Sequence, residues 1–291
     1  MDQINSPKTS AKIQETAKDF FGKACAIQPQ ENELPVITRN FRSPGCDLQS
    51  YQSPPANSGD IDALQLYREL RPSVALFKMQ GKSDGTGKEP AGIDKTRGGS
   101  GVIAGKEGNS CLVITDDHVT KGVPQQHVKV GEVGVVLANG KKYLGSVITS
   151  DPARDLALVK IDTGAETETI CKPAKFHDTV IDPAQSPELI TIGQPYTSDA
   201  IYTSTGTASQ IQKRGTFSNM IQPLPGEDAN RDVLVTSLSI REGFSGGAVF
   251  DKTGTAVGVN DFQTSPMSSV STPVTNETVK DLLSRRNDKT P

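Results

Sequence analysis

A serine, a histidine and an aspartate stand out in this chain, each in a distinctive local setting. Gly243-Phe244-Ser245-Gly246-Gly247 lies between stretches rich in β-branched residues. A serine on a glycine-bounded turn exposes its Oγ and leaves adjacent backbone N–H groups free, which is what acyl transfer requires. Its hydroxyl is too weak an acid to attack an amide unaided and needs a base within hydrogen-bonding reach. Val113-Ile-Thr-Asp-Asp-His118-Val119 supplies a histidine at the end of an apolar strand. With an unperturbed pKa near ~6.5, such a group can serve as base and then as acid near neutrality. Asp151-Pro-Ala-Arg-Asp155-Leu-Ala-Leu-Val-Lys160-Ile161 places an aspartate at the mouth of an alternating strand, where it can orient an imidazole. Asp151 is a rival in the same turn, but Asp-Pro favours turn initiation, and the strand opening at Leu156 favours Asp155. Gly243 and Ser245 are the expected backbone donors of an oxyanion hole, because glycine permits the unusual backbone this needs.

The body that must hold these groups is rich in turns. The chain has 291 residues, enough for one large or two ordinary domains. With aromatics at 5% and no Trp, its cores must be built from Val, Ile, Leu and Ala. The 27 Gly and 19 Pro favour an all-β body. The net charge of −3, without a basic stripe interleaved with aromatics, disfavours nucleic-acid binding. No apolar run approaches the roughly 18 residues of a membrane span. The polar start lacks the basic and apolar regions of a signal peptide. The expectation is therefore a cytoplasmic protein, or a periplasmic or secreted one whose export signal has been removed. Four cysteines (Cys25, Cys46, Cys111, Cys171) without a Cys-x-x-Cys pair, and three scattered histidines, give a metal site little support. No metal and no cofactor are expected. Cys111 falls within an apolar strand and reads as a buried thiol, whereas His127 and His177 lie in polar loops and read as solvated.

Three segments follow from the patterning. Residues 1–70 read as an accessory segment with two short helices. One places Ile13, Ala17, Phe20 and Phe21 on one face. The other runs through Ile61, Leu64, Tyr67 and Leu70, led by Asp60 and Asp62 at its N-terminus. Residues 71–170 carry short alternating strands: one from Ser73, one led by Gly101, one from Ser110 to Thr115, a hairpin turning at Asn139-Gly140, and Leu156–Ile161. Gly81–Gly99 reads as a polar, mobile loop. Residues 171–291 carry a second set, through Leu189–Ile192, Ala200–Ile211, Val233–Leu238, Ala248–Phe250 and Ala256–Val259. A closing helix from Asn276 to Arg285 follows. Two groups of about six short strands predict two β-barrels.

The order His118, Asp155, Ser245 is the chymotrypsin order of a Ser-His-Asp triad. Several collinear motifs resemble the HtrA (Deg) family of trypsin-fold serine peptidases over roughly residues 70–285. They include Arg71-Pro-Ser-Val74, Gly99-Ser-Gly-Val-Ile103, Thr115-Asp-Asp-His118-Val119, Ser150-Asp-Pro-Ala-Arg-Asp155, Ile192-Gly-Gln-Pro-Tyr196 and Ser271-Thr-Pro-Val-Thr-Asn276. The resemblance implies two six-stranded β-barrels with the active site in the cleft between them. It also implies a serine endopeptidase that cleaves protein or peptide substrates through an acyl-enzyme. Ser239, Asp261, Phe262 and Gln263 are the implied lining of the specificity pocket. In the family the region before the first barrel builds a trimer contact, which makes the N-terminal segment a candidate for self-association. The expected departures from the family are the absence of the PDZ domains that usually follow, Phe244 before the serine, and Asp261. A Ser or Thr usually supports the catalytic aspartate at that last position. A catalytically weak trypsin-fold binding or chaperone-like module is the alternative.

Overall fold

The computed structural model describes residues 25–27, 36–39, 62–86, 88, 90–122, 128–195 and 201–285. The helix expected around Phe20 lies outside the described residues. Two short antiparallel strands come first, β1 (Cys25–Ile27) and β2 (Val36–Arg39). Helix α1 (Ala63–Leu70) is capped by Asp62, whose carboxylate accepts from the N–H groups of Leu64 and Gln65 at 3.1 and 2.9 Å. It buries Ala63, Leu66, Tyr67 and Leu70. Leu64, expected on that face, is only partly covered.

Six strands then close the first barrel: β3 (Val74–Ser83), β4 (Asp94–Glu107), β5 (Ser110–Thr115), β6 (Val128–Val136), β7 (Lys142–Asp151) and β8 (Leu156–Asp162). Their order around the barrel is β3-β4-β5-β8-β7-β6, and β6 returns to β3. Phe77, Ile103, Val113, Val135, Val159 and Ile161 fill its core. The expected loop over Gly81–Gly99 is instead strand at both ends, over 81–83 and 94–99. Lys82 pairs with Asp94 and Gly81 with Val130, so backbone pairing on two sides orders a stretch whose side chains are largely polar. A short helix, α2 (Asp117–Lys121), follows β5. Another, α3 (Thr167–Ile170), and strand β9 (Lys175–Phe176) lie on the connection to the second half.

The second barrel consists of β10 (Glu188–Gly193), β11 (Ile201–Lys213), β12 (Asp232–Thr236), β13 (Ala248–Asp251), β14 (Thr255–Ser265) and β15 (Ser268–Pro273). Neighbours run β11-β10-β13-β14-β15-β12, and β12 pairs back onto β11 to close it. Strand β2 adds to β11 in parallel, with Val36 opposite Ile201. Helix α4 (Asn276–Arg285) buries Val279 and Leu282. It then reaches back to the first barrel, where Asp281 pairs with Arg154 and Arg285 donates to Asp151 at 3.1 Å. His177 is not simply solvated: its Nε2 lies 2.8 Å from Asp251 Oδ2, on the strand that leads away from Ser245.

Candidate active site

The end of β5 delivers His118 into the first turn of α2, and the β7–β8 turn delivers Asp155 to it. Asp155 adopts a left-handed backbone (φ 55°), a conformation that a residue with a Cβ holds only when its surroundings impose it. Those surroundings are hydrogen bonds. The Asp155 N–H donates to the carbonyl of Pro152 at 3.1 Å, and its carbonyl accepts from Asp117 N–H at 3.1 Å. Its carboxylate accepts from the His118 N–H at 2.9 Å and meets His118 Nδ1 at 2.7 Å. Aspartate and imidazole are thus fixed to each other by main chain and side chain together. Nδ1 is committed to Asp155, which leaves Nε2 as the nitrogen for proton transfer. Asp151, the rival, is occupied elsewhere: Arg154 and Arg285 both donate to it.

Ser245 sits in the turn between β12 and β13. Its hydroxyl donates to the carbonyl of Asp261 at 3.1 Å and not to His118. The N–H groups of Gly243 and Ser245 donate to no other group among the described residues. Gly243 (φ 103°) and Gly246 (φ 79°) occupy backbone regions that disfavour other residues. Ser100, fully buried on β4, ties this turn to the first barrel. Its N–H donates to the Ser245 carbonyl at 2.8 Å and its Oγ to the Gly243 carbonyl at 2.7 Å. Thr115 Oγ1 in turn donates to Ser100 O at 2.7 Å. Sequence reasoning missed Ser100, although it stands within the quoted Gly99-Ser-Gly segment.

A Cβ at residue 246 would lie 2.1 Å from Thr115 Oγ1, 2.4 Å from Ser100 O and 2.8 Å from Asp116 N. Two of those atoms are backbone and cannot swing aside. Gly246→Ala is therefore expected to force the turn off the β4–β5 seam and lower kcat/KM by ~10²-fold or more, beyond a backbone cost of about 1–2 kcal/mol. An alanine variant that kept a tenth of the parent activity would refute this close approach.

The electrostatics are unusual. Asp116, His118, Asp155 and Asp261 bring one ligand-capable atom each within 4.8 Å of one another. Burial disfavours the charged imidazole of His118. The Asp155 carboxylate and its hydrogen bond, with Asp116 and Asp261, outweigh burial and hold the pKa at about 10. Burial favours the acid form of Asp155, but the charge and hydrogen bonds of His118 keep it below the usual carboxylate range. Burial and the nearby Asp155 raise Asp261 to about 6, against the pull of Arg231. Burial drives Asp116 well above the ordinary value. Asp116 was also missed, because two adjacent aspartates before a histidine look like a solvated pair. The donor set does not favour a metal, since Asp155 takes His118 Nδ1 and the Arg231 guanidinium sits 2.5 Å from Asp261 Oδ2.

The residues expected to line a specificity pocket divide. Asp261 is 5% exposed and turns its carboxylate inward to Arg231, which withdraws the one charge expected in that pocket. Ser239 is fully buried, with Oγ donating to Pro266 O at 2.8 Å. Phe262 packs edge-on against Phe217 and lies under the Arg214 guanidinium, 4.5 Å from its ring centroid. Gln263 accepts from Arg241 at 3.5 Å. A depression of about 190 Å³ is lined by His118, Lys121, Pro152, Leu224 and Pro225.

Comparison with known proteins gives this geometry a lineage. The family model "Trypsin-like peptidase domain" matches residues 99–259. A Serine protease Do-like HtrA of Lactococcus lactis subsp. lactis is 29% identical over 219 residues, covering 74% of this chain and 49% of the relative. One from Bacillus subtilis is 27% identical over 207 residues, covering 69% and 42%. The chain thus spans about half the length of these curated relatives, or less. Among solved structures, the HtrA-type protease AlgW with a decapeptide shares the fold with a TM-score of 0.57 at 20% identity, over 79% of this chain and 68% of that one. The chain belongs to the trypsin-like peptidase domain family and resembles its HtrA-type members.

Proposed function

We propose that the chain is a serine endopeptidase acting on protein or peptide substrates, with His118, Asp155 and Ser245 as its triad. The observation that carries this reading is the double clamp of Asp155 on His118, beside a serine turn whose 243 and 245 N–H groups are unengaged. For catalysis, the Ser245 hydroxyl must give up the Asp261 carbonyl and donate to His118 Nε2 instead. Its Oγ then attacks the substrate carbonyl carbon while Nε2 takes the hydroxyl proton. The oxyanion that forms accepts from the N–H groups of Gly243 and Ser245, a contribution of about 3 kcal/mol per donor in a related site. As the C–N bond breaks, the imidazolium passes its proton to the leaving amine. Water, deprotonated by His118, then attacks the acyl-enzyme and releases the carboxylate product and Ser245. Asp155 stays ionised and stabilises the imidazolium throughout. Residues 71–170 and 171–291 supply the two sides of the cleft. Residues 1–70 are accessory, a role supported by the pairing of β2 with the outer edge of β11.

The alternative, a trypsin-fold binding module with a weak site, draws on one observation. Ser245 is bonded to Asp261, and three neighbouring carboxyl groups favour a protonated His118. Labelling by a fluorophosphonate across pH separates the two readings, because only an activated serine reacts. Imidazolium cannot accept the serine proton, so labelling must rise with pH. With His118 held at about 10, the limb is expected on the alkaline side rather than near its ordinary value of ~6.5. A rate flat from about pH 5 to pH 8 would exclude His118 as the base. No labelling at any pH would favour the binding module.

A further inference from the structure

The segment between β11 and β12 carries a buried chain of charge that ends behind the proposed triad. Arg214 Nε pairs with Glu227 Oε1 at 2.6 Å, and Arg231 reaches the same oxygen at 2.5 Å. The Arg231 fork continues to Asp261 Oδ2 at 2.5 Å and to Thr272 Oγ1 at 2.7 Å. Every charged side chain in this run is at most 6% exposed. Asp261 faces two ways, since its carboxylate takes Arg231 and its carbonyl takes the Ser245 hydroxyl. Next to it, Asp116 is fully buried, and neither of its carboxyl oxygens has a hydrogen-bond partner. The charged groups that act on Asp116 are His118, Asp155, Asp261 and Arg231. Three carboxyls therefore share a buried site, and Arg231 is the permanent cation among these groups. Like charges at such range oppose one another's ionisation, and a cation among them offsets that opposition.

We infer that Arg231 is a positioning residue for the triad: by pairing with Asp261 it leaves Asp155 as the carboxylate that holds His118, and it fixes the strand whose carbonyl holds Ser245. This rests on the reading of His118, Asp155 and Ser245 as a triad. Glu227 keeps Arg214 when Arg231 is lost, so the deficit falls on Asp261. The sign of the effect on pH follows. Removing the cation adds uncompensated negative charge beside His118 and moves the limb for neutral imidazole upward, whereas removing the Asp261 carboxylate moves it downward.

The test compares Arg231→Met, Asp261→Thr and the double variant in the full chain, reading kcat, KM and the pH limb of fluorophosphonate labelling. Arg231→Met is expected to lower kcat roughly 10- to 100-fold with KM within about threefold, and to raise the limb by about one pH unit. The double variant should return to within about threefold of Asp261→Thr, because the carboxylate that needed the arginine is gone. A double variant no better than Arg231→Met, or an unmoved limb in Arg231→Met, overturns the inference. If Arg231→Met does not fold, the double variant decides: one that folds with activity within about threefold of Asp261→Thr supports the role, and one that fails to fold or falls well below Asp261→Thr refutes it. Ser245→Ala is the reference. Full activity there would sink the triad itself, whereas an inactive Ser245→Ala alongside an unmoved Arg231→Met limb would sink only the arginine's role.

Discussion

Replacing Ser245 by alanine is expected to lower peptide-bond cleavage by about 10⁶-fold while the fold stays intact, the scale seen when the nucleophile of a comparable triad is removed. The fold should survive because the hydroxyl makes a single hydrogen bond, to the Asp261 carbonyl, and the turn is held by the main-chain bonds of Ser100 and by its glycines. His118→Ala should be nearly as damaging, since without a base the serine hydroxyl is again a weak acid. The double variant should be no worse than either single one, because the groups act as a unit and what remains comes from the oxyanion donors and binding. Steady-state cleavage of a denatured protein, with circular dichroism as the fold control, decides it. A folded Ser245→Ala protein that kept more than a few per cent of activity would place the nucleophile elsewhere.

The second large effect concerns Phe244. Its side chain is fully buried in the second barrel with Tyr202, Leu238, Ile240 and Val249. It also lies so close over Gly193 that a Cβ there would meet the ring at 2.7 Å. Phe244→Asp is expected to cost about 3–5 kcal/mol from lost aromatic packing and several more from a buried, unpaired carboxylate. At roughly 2–4 °C per kcal/mol for a chain of this size, the melting temperature should fall by more than about 10 °C. The identity of this residue bears on activation. A freed amino terminus that inserted beside the nucleophile would need a carboxylate at 244 and meets a phenylalanine in an apolar core. Intact and N-terminally acetylated protein should therefore label equally with a serine-directed probe. A Phe244→Asp protein that melted within about 2 °C of the parent would contradict this account of the turn.

Much of this architecture was legible because apolar alternation and turn residues are local signals. The barrels, the α4 helix and the order of His118, Asp155 and Ser245 follow from such signals. What escaped was non-local or disguised by polarity. Strand β15 was not read from its sequence, Ser268-Ser-Val-Ser-Thr-Pro273, which looks like a loop. Its Ser269, Ser271 and Thr272 are nonetheless buried, satisfying strand pairing in place of apolar packing. The hairpin joining β3 to β4 was hidden in the same way by its lysines and glycines. The charge cluster was invisible for another reason. Arg231 and Asp261 stand 30 positions apart and are brought together by the strand order of the second barrel, and Asp116 joins them from the end of β5 in the first. Asp261 was foreseen as a departure at a position that usually supports the catalytic aspartate, whereas the arginine that answers it carried no local signature.

The reach of α4 back to the first barrel also sets an order of assembly. The turn that presents Asp155 is braced through Asp151 and Arg154 by Arg285 and Asp281, which lie more than a hundred positions later in the chain. A chain growing from its amino terminus finishes the first barrel early, but that barrel's contribution to the cleft lacks its outer brace until the helix at 276–285 has been made. The turn that presents Asp155 thus depends for its outer brace on ion pairs made by residues more than a hundred positions away, so a change at Asp281 or Arg285 reaches the imidazole's partner without touching either barrel's core.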